Sequence, residues 1–283
     1  MVSVKSLIGA GAAALISSAA FAADLGAPPP VQFQPPVQVA EQSGWYLRGD
    51  VGVGAQSFSS FNLEPAPPTP ITVDQKDIQG ASIAGVGIGY DLNSWLRFDV
   101  TGEYRTAAAF KGIVGTQFTG GVNGCLPGSA NTCFDTYTGN FSAAVFMANA
   151  YLDLGTWWCL TPYVGGGVGA AWDHISGVED VTDQNLFFTG HGFTNNDSSS
   201  WNFAWNVQAG LTYNVSDALK IDFNYRFLNM GSPQSAGVVC QNTNSTCIEN
   251  INLKDMTSND FRIGVRYMLN PAPAPVMPLS TRG

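Results

Sequence analysis

Charged residues recur at every second position in several short segments of this chain, and their chemistry depends on where that spacing puts them. The segment Phe261-Arg262-Ile263-Gly264-Val265-Arg266-Tyr267 alternates large apolar residues with cations or glycine, and Leu219-Lys220-Ile221-Asp222-Phe223-Asn224-Tyr225-Arg226-Phe227 does the same. A strand has a side-chain period of two, so each segment carries one charged and one apolar face. The polar faces together hold seven cations, Arg48, Arg97, Arg105, Lys220, Arg226, Arg262 and Arg266, and six carboxylates, Asp50, Asp99, Glu103, Asp153, Asp173 and Asp222. That mixture is close to neutral. The chemistry it predicts is mutual ion pairing, because a buried charge without a partner is too costly to keep.

The elements that position these residues follow from the opposite face. It is rich in aromatic residues, it repeats segment after segment, and the chain offers no helix to cover it. Leu154 to Trp172 is uncharged but contains Pro162 and the run Val164-Gly165-Gly166-Gly167-Val168-Gly169, so it reads as strand, turn and strand. An apolar outside and a polar inside describe an all-β, eight-stranded antiparallel transmembrane barrel. The strands are expected near 45–56, 78–91, 95–106, 139–154, 161–174, 200–214, 219–229 and 260–269. Tight turns at Asp91–Ser94, Gly155–Leu160 and Val215–Ala218 alternate with long polar stretches near 57–77, 107–138, 175–199 and 230–259. Short turns belong to the periplasmic side of such barrels and long loops to the outside, which puts both termini in the periplasm. Trp45, Tyr90, Trp95, Trp157, Trp158 and Tyr213 gather at one end and Trp172 and Trp201 at the other, as interfacial rings do. Eight strands leave an interior that side chains just fill. A sealed lumen is therefore expected, with a narrow porin-like channel for small solutes as the alternative.

The flanks agree with export. Residues 1–22 read as a signal peptide, with Lys5, an uncharged run and the small-x-small end Ala20-Phe21-Ala22, so cleavage falls between Ala22 and Ala23. Residues 23–44 form a proline-rich periplasmic linker, 45–269 the barrel and 270–283 a proline-rich tail that cannot continue a strand. The formal charge of −9 becomes −10 once the signal, which carries Lys5 and no acid, is removed; this argues against nucleic acid as a partner. The expected location is the outer membrane of a Gram-negative cell, and the expected partners are its lipid and lipopolysaccharide, with the barrel-insertion machinery during assembly.

Other reactive residues are few. An exported chain permits disulfides. Cys125 with Cys133 and Cys240 with Cys247 is the pairing of lowest loop entropy, other pairings stay open, and neither spacing matches a zinc module. Cys159 beside Trp157 and Trp158 reads as a small residue near the membrane edge. The glycine runs at 49–54 and 85–89 lack the helix and acidic partner of a nucleotide site, so no cofactor is expected. Arg48-Gly49-Asp50 spells an adhesion tripeptide, but a strand turns both charges inward. His174-Ile175-Ser176, with Glu179 close behind, is the remaining motif.

That motif resembles the His-x-Ser of lipid A deacylases, which are also small outer-membrane barrels. The resemblance would make Ser176 the nucleophile, His174 the base and Glu179 the orienting acid. It spans two residues, and the expected function is non-enzymatic. Over residues 1–269 the chain resembles the small outer-membrane β-barrel proteins of alphaproteobacteria, the opacity-type surface antigens grouped with porins. The resemblance rests on Ala22-Ala23-Asp24-Leu25, Gly44-Trp45-Tyr46-Leu47-Arg48-Gly49-Asp50, Leu154-Gly155-Thr156-Trp157, Thr161-Pro162-Tyr163-Val164-Gly165 and the last strand. It implies a structural, surface-exposed envelope protein without enzymatic activity. Some such barrels join a mature Ala-Asp terminus to peptidoglycan; here the α-amine of Ala23, next to Asp24, would be the acceptor, and residues 24–43 would reach roughly 60 Å if extended.

Overall fold

The computed structural model describes residues 43–64, 71–117, 132–183, 190–240, 245–248 and 250–270. The signal, Ala22, Ala23 and Asp24, the linker, the tail and Cys125 lie outside them, as do the side chains of Cys133, Cys240 and Cys247. No helix occurs among the described residues.

Eight strands close a ring: β1 (Gly44–Ser57), β2 (Ala81–Asp91), β3 (Leu96–Gln117), β4 (Thr132–Asp153), β5 (Leu160–Asp183), β6 (Ser198–Asn214), β7 (Leu219–Asn229) and β8 (Thr257–Met268). Each pairs antiparallel with its chain neighbours, and β1 pairs β8 from Tyr46↔Met268 to Ser57↔Thr257. Closure leaves no free edge in this ring, as a hydrocarbon surround requires. The alternation in the sequence becomes a strict alternation of burial. In β1, Tyr46, Arg48 and Asp50 are buried while Trp45, Leu47, Val51 and Val53 are exposed. The outward surface is a band of apolar side chains, with Val86, Phe98, Val100, Phe146, Val168, Phe223 and Ile263 all exposed.

Three connections are tight for local reasons. At Asp91–Leu96 the Asn93 carboxamide oxygen accepts from the backbone N–H of Trp95 at 3.0 Å and of Leu96 at 2.8 Å. Between β4 and β5, Trp157 and Leu160 bracket a two-residue turn in which Trp158 and Cys159 have φ of 50° and 77°. Positive φ at both central positions is the type I′ geometry that matches strand twist, here adopted without a glycine or asparagine. At the third turn the Ser216 hydroxyl accepts from Leu219 N–H at 3.0 Å.

The other end departs from the sequence expectation. The stretches 107–138 and 175–199 were expected as loops, yet β3, β4 and β5 run for 22, 22 and 24 residues, about twice what crossing a bilayer needs. Backbone pairing continues past the point where the outward face stops being apolar, and alternation of hydropathy alone does not register that continuation. Two irregularities keep the correct residues inside. Between Arg105 and Ala108 the register slips, so odd-numbered inward residues give way to Ala108, Phe110 and Val114. Opposite the Thr138–Asn140 step of β4, at Gly177 with φ 58°, the same happens in β5, where Ala171, Asp173 and Ile175 give way to Val178 and Asp180.

Short strands complete this projecting sheet: 71–78 pairs β3, 190–194 pairs β5, and 238–240 and 245–248 follow in turn. A separate ribbon of 60–64 and 250–254 pairs Phe61 with Leu253 and Leu63 with Ile251. All four side chains are at most 7% exposed. They pack into one apolar cluster with Phe110, Tyr137, Phe141, Met147 and Leu228, so segments that read as polar loops supply a plug. The ribbon is tied down by Leu253 N–H to Pro233 O at 3.0 Å and Met256 N–H to Gly231 O at 2.7 Å.

Candidate functional site

Among the described residues, charge, hydrogen bonding and burial converge most densely in the barrel interior, and three sets of contacts fill it. Nearest the tight turns, the Arg266 guanidinium donates to Asp222 at 2.6 Å and to Thr212 at 3.0 Å. Arg97 donates to Asp153 at 3.2 Å, and its guanidinium lies 4.3 Å and 4.4 Å from the ring centres of Tyr151 and Tyr163. Lys220 pairs with Asp91 at 3.8 Å. A planar cation between two aromatic faces gains attraction from both rings once water is excluded.

In the middle, Arg48 makes a forked contact with Asp50 at 2.8 Å and 2.7 Å and reaches Asp99 at 2.6 Å and the Tyr151 hydroxyl at 2.8 Å. Asn149, Asn206, Gln208 and Asn224 continue the chain of contacts to Arg262. Nearest the plug, Asp260 accepts from Arg105 at 2.8 Å and from Arg226 at 2.7 Å, and Arg226 also reaches Glu103 at 2.6 Å. Forked, charge-assisted bonds of this length are the strong kind, and each cation here has a carboxylate within 4 Å. Gly264 and Gly89 make room: a Cβ at either would collide with the Asp50 carboxylate or the Tyr46 ring.

Of the thirteen charged residues named from the sequence, twelve, from Arg48 to Arg266, lie on the inward face within these ion-paired sets. Asp173 is inward too, but it meets Asn202 at 2.8 Å rather than a cation. Two carboxylates escaped the sequence reading. Asp260 holds two arginines, and its signal was present, since it keeps period two with Arg262, Gly264 and Arg266. Asp91 was read as the start of a turn, although it follows Gly87 and Gly89 on the inward face. Outside the lumen the described cations are only Lys76, Lys111 and Lys254.

The other candidates do not assemble as expected. Arg48 and Asp50 bind each other inside the wall, so the Arg-Gly-Asp tripeptide is not displayed. His174 makes no hydrogen bond or ion pair with Ser176 or Glu179. Its Nδ1 meets Ser199 Oγ at 2.9 Å and its Nε2 lies 3.6 Å from the exposed Asp197. Glu179 is carried past Gly177 and pairs across from Thr138. Four of the five cysteines fall outside the described side chains; Cys159 is free and exposed.

An eight-stranded closed ring with an apolar exterior and an ion-paired interior fixes the architecture. The family model described as outer membrane protein beta-barrel domain matches residues 8–268. The chain belongs to the outer-membrane β-barrel family. An uncharacterized protein of Brucella suis is 36% identical over 234 residues, 78% of this chain and 79% of that one. Outer membrane protein PagN of Salmonella typhimurium is 26% identical over 235 residues, 80% of this chain and 90% of that one. Among solved structures, Neisserial surface protein A aligns with a TM-score of 0.41 at 16% identity, covering 80% of this chain and 98% of that one. Membership in the outer-membrane β-barrel family places the chain in the outer membrane of a Gram-negative cell.

Proposed function

We propose that this outer-membrane barrel is a non-enzymatic envelope protein whose lumen is closed and whose long-connection end is presented at the cell surface. The observation that carries the reading is the interior itself. Every one of its seven cations is held by a carboxylate, and above them a ribbon of four apolar residues stops the mouth. An ion crossing this lumen would have to break contacts that lose several kcal/mol per separated charge. The short turns then face the periplasm and the projecting sheet faces outward.

The test is electrical. Purified protein inserted in a planar bilayer should give no reproducible current steps at moderate voltage; discrete steps in most insertions would replace this reading with the narrow-channel one. Covalent attachment of Ala23 to peptidoglycan is a separate part of the proposal, supported by the Ala-Asp start of the mature chain and the length of the linker. Mass spectrometry of digested cell wall would then find a muropeptide on Ala23, and well-covered samples without it would remove the tether.

A further inference from the structure

We propose that the outward wall of the projecting sheet holds a saccharide-binding site, centred on Lys111, Thr138, Asn140 and Glu179. Asp77, Lys111, Thr138 and Glu179 stand in one cross-strand row over four neighbouring strands, through the pairs Asp77↔Lys111, Lys111↔Thr138 and Thr138↔Glu179. One row nearer the membrane, Asn140 faces Ser176 and Ala109, and Gln79 bonds Ala109 O through its backbone N–H at 2.9 Å. Between these rows lies an open depression of about 480 Å³ lined by Asp77, Gln79, Lys111, Thr138, Asn140 and Glu179.

The depression exists because the wall slips there. The register of β4 and β5 shifts between Thr138 and Asn140, and Gly177, at φ 58°, leaves nothing nearer than 3.7 Å to where its Cβ would be. On the inward side of the same slip, a Cβ at Gly139 would crowd the buried Phe110 ring at 2.7 Å. A recess over a bulge that spans adjacent strands is a built feature and not a gap between loops.

Its chemistry selects the ligand class. The carboxylates of Asp77 and Glu179 are three strand spacings apart, roughly 14 Å, too far to share one metal ion. One ammonium between two acids is a poor host for a phosphate alone. Nothing exposed in the recess is apolar enough for an acyl chain. What remains is a row of alternating donors and acceptors, an ammonium, a hydroxyl, two carboxamides and two carboxylates, which suits the hydroxyl and amide groups of a sugar.

Height gives the same answer. The Trp172 and Trp201 rings, 6.5 Å apart, mark the upper edge of the apolar band. Asn140 and Ser176 lie four residues beyond Trp172 on β5, roughly 13 Å along the strand, where the sugar heads of outer-leaflet glycolipid would stand. The sugar could come from that glycolipid or from a soluble glycan.

Wild-type protein and the surface variants Lys111→Ala and Asn140→Leu, folding checked by gel mobility, are placed in phosphatidylcholine nanodiscs. Each is titrated with rough-type lipopolysaccharide and with the oligosaccharide released from it. Saturable binding of the free oligosaccharide by wild type, weakened tenfold or more in both variants, is expected. Tighter binding of the intact glycolipid assigns the membrane source, and equal binding assigns a soluble one. Binding that neither sugar shows, or that both variants retain, overturns the site. The site rests on the proposed surface orientation, but nanodiscs expose both ends, so its failure and the failure of that orientation are read separately.

Discussion

Arg105 and Asp260 meet at 2.8 Å across 155 residues of sequence, with neither side chain accessible to solvent. The same carboxylate holds Arg226 at 2.7 Å and accepts from Ser258 at 2.6 Å. One acid from the last strand thereby gathers cations from the third and seventh strands, and it fixes their places relative to the closing seam of the barrel.

Asp260→Asn should therefore be severe although it changes few atoms. It removes one of the two carboxylates that hold a pair of buried guanidinium groups and leaves both to share Glu103, with an expected loss of about 3–5 kcal/mol. Urea titration followed by heat-modifiable gel mobility measures it. Replacing Arg105 by Met in the same chain should recover part of that loss, because the second change removes a charge instead of exposing one. A double variant weaker than the sum of the singles would contradict the pairing.

The free thiol of Cys159 at the tip of a tight turn reports orientation. With the other cysteines replaced by Ser, an impermeant maleimide should leave Cys159 unmodified on intact cells and modify it once the outer membrane is opened. A Lys111→Cys substitution in a chain without other cysteines should show the opposite pattern. Labelling of Cys159 on intact cells would invert the proposed topology.

Asp180 gives a pH dependence to the projecting sheet. Burial first, and Asp135 second, push its carboxyl up to about 7, against the opposing hydrogen bond from Tyr137. Between pH 4 and 7 the folded state thus holds a proton that the unfolded state has released, so stability falls as pH rises through this window and levels off above it. The expected span is about 2–4 kcal/mol. Hydrogen exchange of residues 132–140 should be faster at pH 8 than at pH 5 after correction for intrinsic rates. Asp180→Asn should flatten the difference.

Gly264 faces the Asp50 carboxylate, and Gly264→Val should prevent Arg48 and Asp50 from closing their fork. Slow or incomplete folding into detergent micelles is the expected outcome, measured as the fraction reaching the heat-modifiable form. The outward Val265→Ala in the same strand should fold normally, since it only exchanges lipid contacts.

How far the sequence spoke depended on which physical signal each residue carried. Leu47, Arg48, Gly49 and Asp50 announced both their faces, because a barrel wall between lipid and lumen imposes strict alternation. Asp260 obeyed the same alternation and was overlooked beside the start of a strand. The plug was hidden for a different reason. Phe61, Leu63, Ile251 and Leu253 come from two segments about 190 residues apart, and neither is amphipathic over enough length to be seen alone. The outer halves of β3, β4 and β5 were hidden because their outward residues, such as Lys111 and Glu179, are polar like those of a loop. His174 drew attention through its spacing to Ser176, yet strand pairing gave it Ser199, a neighbour that no linear motif contains.

The lumen withdraws Arg48, Arg97, Arg105, Lys220, Arg226, Arg262 and Arg266 from view, and this shapes what an approaching molecule feels. Seen from more than a Debye length of about 8 Å, those charges are cancelled at short range and the remaining field is that of the outside, where acids outnumber Lys76, Lys111 and Lys254. Polyanions should be slowed in their approach and basic macromolecules drawn in, with both effects fading as salt is added.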